Sequence, residues 1–361
     1  MRTKFLILTA VAASIILTGA GCIQFGLTAA TGPMGIFRTS DGGTSWVKTS
    51  NLLTATGIQS LSGIKVYRMY DDPSDHNAWY LTTRGQGVFY TYDNGDSWLA
   101  IPFLKGQFIY GFAVDPKNKC LMYASDGPHI YKTVDCARTW ELVYTEELPS
   151  QRFVSLAIDY GDTDVVYGAK LGGAIVVSTD KGHSWSTIKS FGFEVQQLTA
   201  DPRQSGRLYL AGYRAGLYRS EDGGITWTNL TSGLSSFNES TVFYRLILNP
   251  GQRDSLFWIS KYGILRSDNA GLNWSEIKLL TPPGSVNIYG FAINPKNQNE
   301  MYYTGTVLGD NNTHVRSTFY KSVDGGHNWV TKKLPTNTIP NGLWMNLDNP
   351  NVMMMGFTTL Q

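Results

Sequence analysis

The sequence predicts an all-β fold, a single seven-bladed β-propeller with four antiparallel strands in each blade, from three observations. The 361 residues include 38 Gly, 20 Tyr, 16 Phe and 10 Trp, a composition that favours short strands and tight turns. One octapeptide occurs seven times, and successive copies start 42 to 55 residues apart, which is the length of one propeller blade. A second phrase, two apolar runs joined by Asp or Asn and usually Pro, recurs between the copies.

Composition and charge exclude two broad classes of protein. The chain has 30 basic and 28 acidic residues, a net charge of +2, and 42% hydrophobic residues. It is too apolar to remain disordered, and it lacks the basic surplus that phosphate backbones require. We therefore expect a folded protein that does not bind nucleic acid.

The repeated octapeptide, which we call the box, predicts the turn between the last two strands of each blade. The copies are TSDGGTSW (39–46), TYDNGDSW (91–98), TVDCARTW (133–140), STDKGHSW (178–185), SEDGGITW (220–227), SDNAGLNW (267–274) and SVDGGHNW (322–329). The Asp can accept backbone N–H bonds, the following Gly can adopt a positive φ, and the Trp can bury its ring. Ala137 replaces the Gly of the third box, and Asn269 replaces the Asp of the sixth. Because boxes spread around a disc cannot converge on one ligand, we interpret them as structural turns and not as catalytic or calcium sites.

The remaining strands follow from the phrases around each box. The two apolar runs predict strands A and B, and stretches such as GIFRT, GVFYT, HIYKT and GLYRS predict strand C before the box. The last A and B strands, about residues 341–357, have no box after them, and the first box has no A and B strands before it. The two ends should therefore complete one closing blade, which removes the open sheet edge.

The boxes match the Asp-box, or BNR repeat, pattern SxDxGxTW, and the chain is similar to Asp-box propellers over nearly its whole mature length. Such propellers include sialidases, two-propeller xyloglucan hydrolases, the sortilin-type receptor domain and the photosystem II assembly and stability factor. The last family resembles this chain in size, with one seven-bladed propeller. That resemblance implies a non-enzymatic protein that holds a membrane-protein client.

A carbohydrate-active protein is the alternative. A sialidase would be expected to have six blades and a RIP tripeptide, which the sequence lacks. A xyloglucan hydrolase would use two propellers and a pair of carboxylates at a defined separation. The acidic candidates outside the boxes on the face formed by the B–C and D–A loops are Asp126, Glu194 and Asp310, and they belong to different blades. A glycan binder or a glycoside hydrolase therefore stays as the second hypothesis, and no catalytic residue is assigned.

In an antiparallel blade, the A–B loops and the boxes lie on one face, the box face, and the B–C and D–A loops lie on the other, which we call the open face. A Tyr stands five places before the A–B loop Asp or Asn in four blades, and Arg follows it in two of them. Arg and Tyr are enriched at binding hot spots. The predicted partner-binding residues on the open face are Tyr67, Arg68, Arg84, Arg152, Tyr213, Arg214, Tyr244, Arg245, Lys261 and Tyr262, with Lys170 as a further cation. The D–A segment 47–64 and the B–C segment 306–314 should be long loops on this face.

The N-terminus resembles that of an exported lipoprotein. Arg2 and Lys4 precede an apolar run, and small residues lead to Cys22. We assign residues 1–21 as a signal peptide, 22–34 as a lipidated N-terminus at Cys22 with its tether, and 35–361 as the propeller. Export permits a disulfide, and the spacing across one hairpin predicts that Cys120 pairs with Cys136.

The sequence thus predicts a monomeric, membrane-anchored scaffold of the bacterial cell envelope that binds a protein or peptide and is not an enzyme. The five histidines lie in different blades without ligand spacing, and no phosphate-binding or dinucleotide motif occurs. We therefore expect no metal and no cofactor.

Overall fold

The computed structural model describes residues 32–359, which form a ring of seven four-stranded antiparallel sheets. The first strands of the described part are β1 (Gly35–Thr39) and β2 (Val47–Lys48), followed by an extra hairpin of β3 (Asn51–Thr54) and β4 (Gly57–Ser60). Blade 1 contains β5 (Val66–Asp72), β6 (Asp75–Thr83), β7 (Val88–Thr91) and β8 (Leu99–Ala100). Blade 2 contains β9 (Gly111–Asp115), β10 (Asn118–Ser125), β11 (His129–Thr133) and β12 (Glu141–Thr145). Blade 3 contains β13 (Phe153–Ile158), β14 (Val166–Lys170), β15 (Ala174–Ser178) and β16 (Ser186–Ser190).

The second half of the ring repeats this arrangement. Blade 4 contains β17 (Val195–Ala200), β18 (Leu208–Gly212), β19 (Gly216–Ser220) and β20 (Thr228–Asn229). Blade 5 contains β21 (Phe243–Leu248), β22 (Leu256–Ser260), β23 (Ile264–Ser267) and β24 (Ser275–Ile277). Blade 6 contains β25 (Asn287–Ile293), β26 (Met301–Leu308), β27 (His314–Ser322) and β28 (Val330–Lys332), and the chain ends with β29 (Ile339–Met345) and β30 (Met353–Thr358). Short 3₁₀ helices in the connections span Pro102–Leu104, Pro149–Gln151, Thr231–Leu234 and Asp310–Asn312.

The closing blade joins the two ends of the described chain, as the sequence predicts. Its sheet has the order β2-β1-β30-β29, so the C-terminal strands supply A and B and the N-terminal strands supply C and D. Strand β1 pairs with β30 along its whole length, from Gly35 opposite Phe357 to Thr39 opposite Met353. This pairing closes the ring, because β1 covers the strand edge of β30 that would otherwise be unpaired.

The boxes form the predicted turns. In the first box, Asp41 Oδ1 accepts hydrogen bonds from the backbone N–H groups of Thr44 and Ser45, both at 2.9 Å, and Oδ2 accepts one from Ser45 Oγ at 2.6 Å. The two residues after the Asp or Asn both have positive φ in every box, for example 65° and 80° at Gly42 and Gly43. Asn269 preserves the turn, because its Oδ1 accepts the Asn273 N–H at 2.9 Å.

The hydrophobic core is divided among the contacts between neighbouring blades. Seven clusters of buried side chains occur among residues 32–359, and each cluster joins two consecutive blades. The cluster that joins blade 6 to the closing blade, for example, combines Phe319 with Met353, Met355 and Phe357, all four fully buried. Each blade is therefore stabilised mainly by its two neighbours.

The two predicted long loops are more ordered than the sequence indicates. Residues 51–60 form the hairpin β3–β4, which hydrogen-bonds to blade 1 through Leu53 N–H to Trp98 O at 2.8 Å. Trp98, directly before the two-residue outer strand β8, also donates its N–H to Asn51 O at 2.8 Å. Residues 306–314 are largely the ends of β26 and β27, which continue as one long hairpin. Both predictions of loops were thus wrong in part, because residues 51–60 pair with each other as a separate hairpin and residues 306–314 extend β26 and β27.

The predicted disulfide is confirmed: Cys120, near the start of β10, is bonded to Cys136 in the third box. The backbone N–H of Cys136 also donates to the carbonyl of Cys120 at 3.2 Å. Cys136 and Ala137 have φ of 58° and 66°. The disulfide therefore fixes the one box in which neither left-handed position is glycine.

The predicted signal peptide (1–21), the lipidation of Cys22 and most of the tether lie outside the described residues. Between residues 32 and 359, the structure contains no helix that is long and apolar enough to cross a bilayer.

Candidate functional site

A pocket opens on the open face at the mouth of the central channel. Its volume is about 200 Å³. The lining residues come from the innermost strands of four blades and from one B–C loop: Tyr67, Arg68, Arg84, Phe243, Tyr244, Arg245, Tyr289 and Asn341. All charged side chains of this lining are arginines, so we call it the arginine pocket.

A β-bulge at the start of strand A places side chains in the channel. In β5, Val66 pairs with Thr83 and Arg68 with the adjacent Thr82, which leaves Tyr67 as an extra residue. The same shift occurs in the innermost strands of blades 3 to 6 and of the closing blade. The extra residues there are Val154, Gln196, Tyr244, Tyr289 and Asn341. Because a bulge re-aims its residues and leaves their backbone groups unpaired, the repeat builds a ring of free polar groups at the channel mouth.

The two arginines inside the channel hold some of these free carbonyls. Arg68 reaches across the channel and donates to Val154 O at 3.3 Å and Gln196 O at 3.4 Å. Arg245 donates to Asn341 O at 3.4 Å. Each acceptor belongs to a bulge residue. The arginines therefore hold blades together across the channel, but through neutral acceptors that leave their charges uncompensated.

The channel is an unfavourable place for a second positive charge. Burial, together with the nearby charge of Arg68, lowers the pKa of Arg245 to about 10. Burial raises the pKa of the phenols of Tyr244 and Tyr289, so both stay neutral hydrogen-bonding groups. Near neutral pH the pocket is cationic.

An aromatic wall continues from the pocket along the open face toward blade 3. Phe108 stacks on Tyr110 with ring centroids 4.2 Å apart and meets Tyr67 edge-on at 4.8 Å. Arg84 lies over the Tyr67 ring at 5.9 Å, and Arg152 lies over the Tyr110 ring at 5.2 Å. These cation–π contacts hold two arginines at the surface, and neither has an acidic side chain of residues 32–359 within ion-pair distance.

The structure brings together half of the predicted binding residues. Tyr67, Arg68, Arg84, Tyr244 and Arg245 line the arginine pocket, and Arg152 lies at the far end of the aromatic wall. The other four stand outside it.

Those four residues occupy two loops. Arg214 lies over the exposed ring of Tyr213 at 5.6 Å. Tyr262 packs against Phe237 at 5.2 Å, and Lys261 is its neighbour in the chain. Of the B–C loop residues predicted to bind, only Arg84 lines the pocket, whereas most of the lining comes from the innermost strands.

The further cation predicted on this face is not free. Lys170 is 7% exposed and forms an ion pair with Glu146, and its Nζ also donates to Tyr144 OH at 2.9 Å. It ties blade 3 to blade 2 and is unavailable to a ligand.

The three acidic candidates remain apart. Asp126 accepts hydrogen bonds from His129 and Tyr131, and Glu194 accepts one from Gln196 Nε2 at 2.7 Å. Asp310 begins the short 3₁₀ helix at the tip of the β26–β27 hairpin. None of them lines the arginine pocket.

Sequence reasoning missed Phe243 and Asn341 as pocket residues and did not select Tyr289. The sequence contains a signal that identifies two of these three residues. Asn341 stands five places before Asn346, and Tyr289 stands five places before Asn294, the same offset that singles out Tyr67 and Tyr244. Extending this count to the closing blade would have found Asn341.

The family match covers the greater part of the ring. Residues 111–355 match the family described as the DUF6242 beta propeller domain. The chain belongs to this family. A curated relative is a xyloglucanase from Paenibacillus sp, 28% identical over 264 residues, which cover 65% of this chain but only 22% of that protein. The chain thus spans less than a quarter of the length of this relative.

Solved structures of two kinds resemble the DUF6242 propeller. The GH74 xyloglucanase from Xanthomonas campestris matches with a TM-score of 0.63 and 17% identity, over 82% of this chain and 51% of that one. YCF48 bound to D1 peptide matches with a TM-score of 0.57 and 17% identity, over 82% of this chain and 93% of that one. At such identities the likeness establishes the propeller fold alone.

Proposed function

We propose that this chain is a non-enzymatic binding scaffold that holds an acidic segment of a protein or peptide partner on its open face. The observation that carries the proposal is the arginine pocket, whose charged residues Arg68, Arg84 and Arg245 are all cations. Arginine and tyrosine combine charge, planar hydrogen-bond donors and large contact area. An acidic peptide complements such a lining.

Two further features support a peptide ligand. The aromatic wall of Tyr67, Phe108 and Tyr110 extends the pocket into an elongated surface, as an extended chain requires. The similar propeller YCF48 has been solved with D1 peptide bound, so a propeller of this kind is compatible with peptide binding.

We further propose that the scaffold works outside the cytoplasm, anchored to the bacterial envelope through Cys22. The basic and apolar residues before Cys22 support export. The disulfide between Cys120 and Cys136 supports the same location, because disulfides persist in oxidising compartments. A short tether would keep the open face near a membrane-embedded partner.

A carbohydrate-active role is the second candidate, and the 28% identity to a xyloglucanase favours it. Glycoside hydrolysis commonly uses two carboxylates about 5 to 10 Å apart. The arginine pocket supplies cations in their place. A hydrolase would therefore need a different site from the pocket.

The test is capture of partners from detergent-solubilised envelope, with proteins identified by mass spectrometry. We expect the wild-type chain to retain a defined partner that an Arg68→Gln, Arg245→Gln double variant loses. The control is Arg138→Ala, which removes an exposed arginine on the box face. Far-UV circular dichroism and thermal unfolding establish that each variant is folded.

Retention of the same partners by the double variant would refute the pocket as the binding site. Release of reducing sugar from xyloglucan by the wild-type chain would favour the second candidate instead.

A further inference from the structure

The arginines of the pocket lack the carboxylate partners that several other arginines of the propeller have. Arg38, Arg207, Arg219 and Arg266 are paired with carboxylates at the blade edges. Within residues 32–359, no carboxylate lies within ion-pair distance of Arg68, Arg84 or Arg245. Arg84 is exposed to solvent, but Arg68 and Arg245 place two uncompensated charges near each other in the channel, which is costly unless a ligand completes them.

The donors of these arginines are only partly used. A guanidinium has five N–H donors in a fixed fork. Arg68 donates two of these N–H groups to carbonyl oxygens and Arg245 donates one, at distances of 3.3 to 3.4 Å. These bonds are long and their acceptors are neutral, so a charged acceptor would compete well for the remaining N–H groups.

The surroundings select among anions. Backbone carbonyls of Val154, Gln196 and Asn341 already border the guanidinium groups. Their negative oxygens disfavour a dianionic tetrahedral group more than a planar monoanion. The cavity of about 200 Å³ has room for one side chain or one chain terminus, and aromatic rings flank it. A guanidinium fork matches both carboxylate and phosphate bidentately, so the bordering carbonyls are the feature that favours the planar carboxylate.

We propose that the arginine pocket is a receptor for a single carboxylate, held between Arg68 and Arg245 with Arg84 at its entrance. This inference rests on the proposed function, since the carboxylate would be the anchoring group of the bound partner. It names the chemistry and position of that anchor, which is either the free C-terminus of the partner or an Asp or Glu side chain.

The experiment measures anion-dependent stability of the purified wild-type chain, which requires no knowledge of the partner. Thermal unfolding is followed in sodium acetate, sodium phosphate and sodium chloride at equal ionic strength. A ligand that binds only the folded state raises the melting temperature with its concentration. We expect acetate to give a larger, saturable increase than chloride or phosphate.

Variants of the pocket arginines test whether acetate stabilises the chain by binding in the pocket. Arg68→Gln and Arg245→Gln are expected to weaken acetate binding about tenfold or more, because each removes a charge-assisted fork. Arg245→Lys keeps the positive charge but lacks the guanidinium fork, so its affinity for acetate should lie between that of the Gln variants and that of the wild type. Arg138→Ala, on the box face, should behave like the wild type. The inference is overturned if acetate raises the melting temperature of the wild type no more than chloride does. It is also overturned if acetate raises the melting temperature of all variants equally.

Short peptides then distinguish the two sources of the carboxylate. Trialanine with a free C-terminus, its C-terminal amide, and an acetylated and amidated Gly-Glu-Gly are compared by calorimetric titration. Binding of the free C-terminus alone identifies a chain terminus, and binding of the Glu peptide alone identifies a side chain. Failure of both carboxylate peptides to bind overturns the inference.

The two proposals can fail separately. If acetate binds at Arg68 and Arg245 but the double variant keeps its envelope partners, the carboxylate receptor stands and the proposed function fails. If the partner depends on the two arginines but no carboxylate probe binds, the function stands and the receptor is refuted.

Discussion

The carboxylate of a box aspartate closes its turn by accepting hydrogen bonds from the residues three and four places later. Asp324 Oδ1 accepts the Asn328 N–H at 2.9 Å, and Oδ2 accepts the Asn328 amide at 2.7 Å. These bonds lower the pKa of Asp324 to about 2, because they favour the ionised form. The sixth box achieves the same turn with the neutral Asn269, so charge strengthens the box but is not required for it.

Exchange of one box aspartate should change the pH dependence of stability. Because the native pKa of Asp324 is below its unfolded value of about 3.9, the ionised group stabilises the fold above about pH 4, and this contribution is lost as the pH falls through 2. We expect Asp324→Asn to be less stable than the wild type at pH 6, with the difference shrinking toward pH 2. Urea unfolding at several pH values measures it.

The control for this measurement is Asp348→Asn, which makes the same carboxylate-to-amide replacement at an exposed loop residue. A difference between wild type and Asp324→Asn that is constant from pH 6 to pH 2 would contradict the role of the charge.

Neighbouring A–B loops on the box face are linked by basic residues in alternate blades. Lys117 Nζ donates to Gly161 O at 2.6 Å, Arg203 Nη1 to Asn249 O at 2.9 Å, and Lys296 Nζ to Asp348 O at 2.6 Å. Each donor follows the Asp-Pro or Asn-Pro pair of its own blade, and each acceptor belongs to the next blade. Hydrogen bonds between neighbouring blades thus cross-link the rim of the box face.

Removal of these links should weaken contacts between blades without altering the strands. The triple variant Lys117→Met, Arg203→Met, Lys296→Met keeps side-chain length and loses the hydrogen bonds. We expect a loss of about 0.5 kcal/mol in unfolding free energy at each site, since the groups are largely exposed. Urea denaturation measures the change, and Lys333→Met, an exposed lysine, is the control. A triple variant as stable as this control would show that the links contribute nothing.

The ring as a whole is stabilised by seams between blades, and its closure depends on pairing of distant parts of the chain. The closing blade pairs β1 with β30 and places Met353, Met355 and Phe357 in a fully buried seam with Phe319. Loss of one seam exposes two apolar surfaces and one strand edge. The molecule should therefore behave as one cooperative unit.

Deletion of residues 336–361 removes β29 and β30 and tests this closure. We expect the shortened chain to lose its cooperative thermal transition and to aggregate, because β1 and the core of blade 6 lose their partners. Replacement of the outer hairpin 51–60 by a short Gly-Ser linker is the comparison, since it shortens the chain but leaves every blade complete. Differential scanning calorimetry distinguishes the two, and a cooperative transition in the 336–361 deletion would contradict the prediction.

The sequence by itself determined the architecture. Seven boxes at blade spacing, A and B phrases between them and unmatched phrases at the two ends fixed the number of blades, their strand order and the closing blade. It also predicted the disulfide, because Cys120 and Cys136 face each other across one hairpin. These features are local in sequence or repeat with a period, so pattern alone specifies them.

Only the tertiary structure decided the site. A repeat pattern states which residues start strand A, but not that a bulge turns them into the channel, nor that Arg68 reaches the carbonyls of two other blades. It did not distinguish Arg245, without a carboxylate partner in the pocket, from Lys170, whose charge is compensated by Glu146. The physical reason is that the convergence of side chains depends on the packing of blades about the axis, through contacts between residues 86 or more positions apart, which no local pattern encodes.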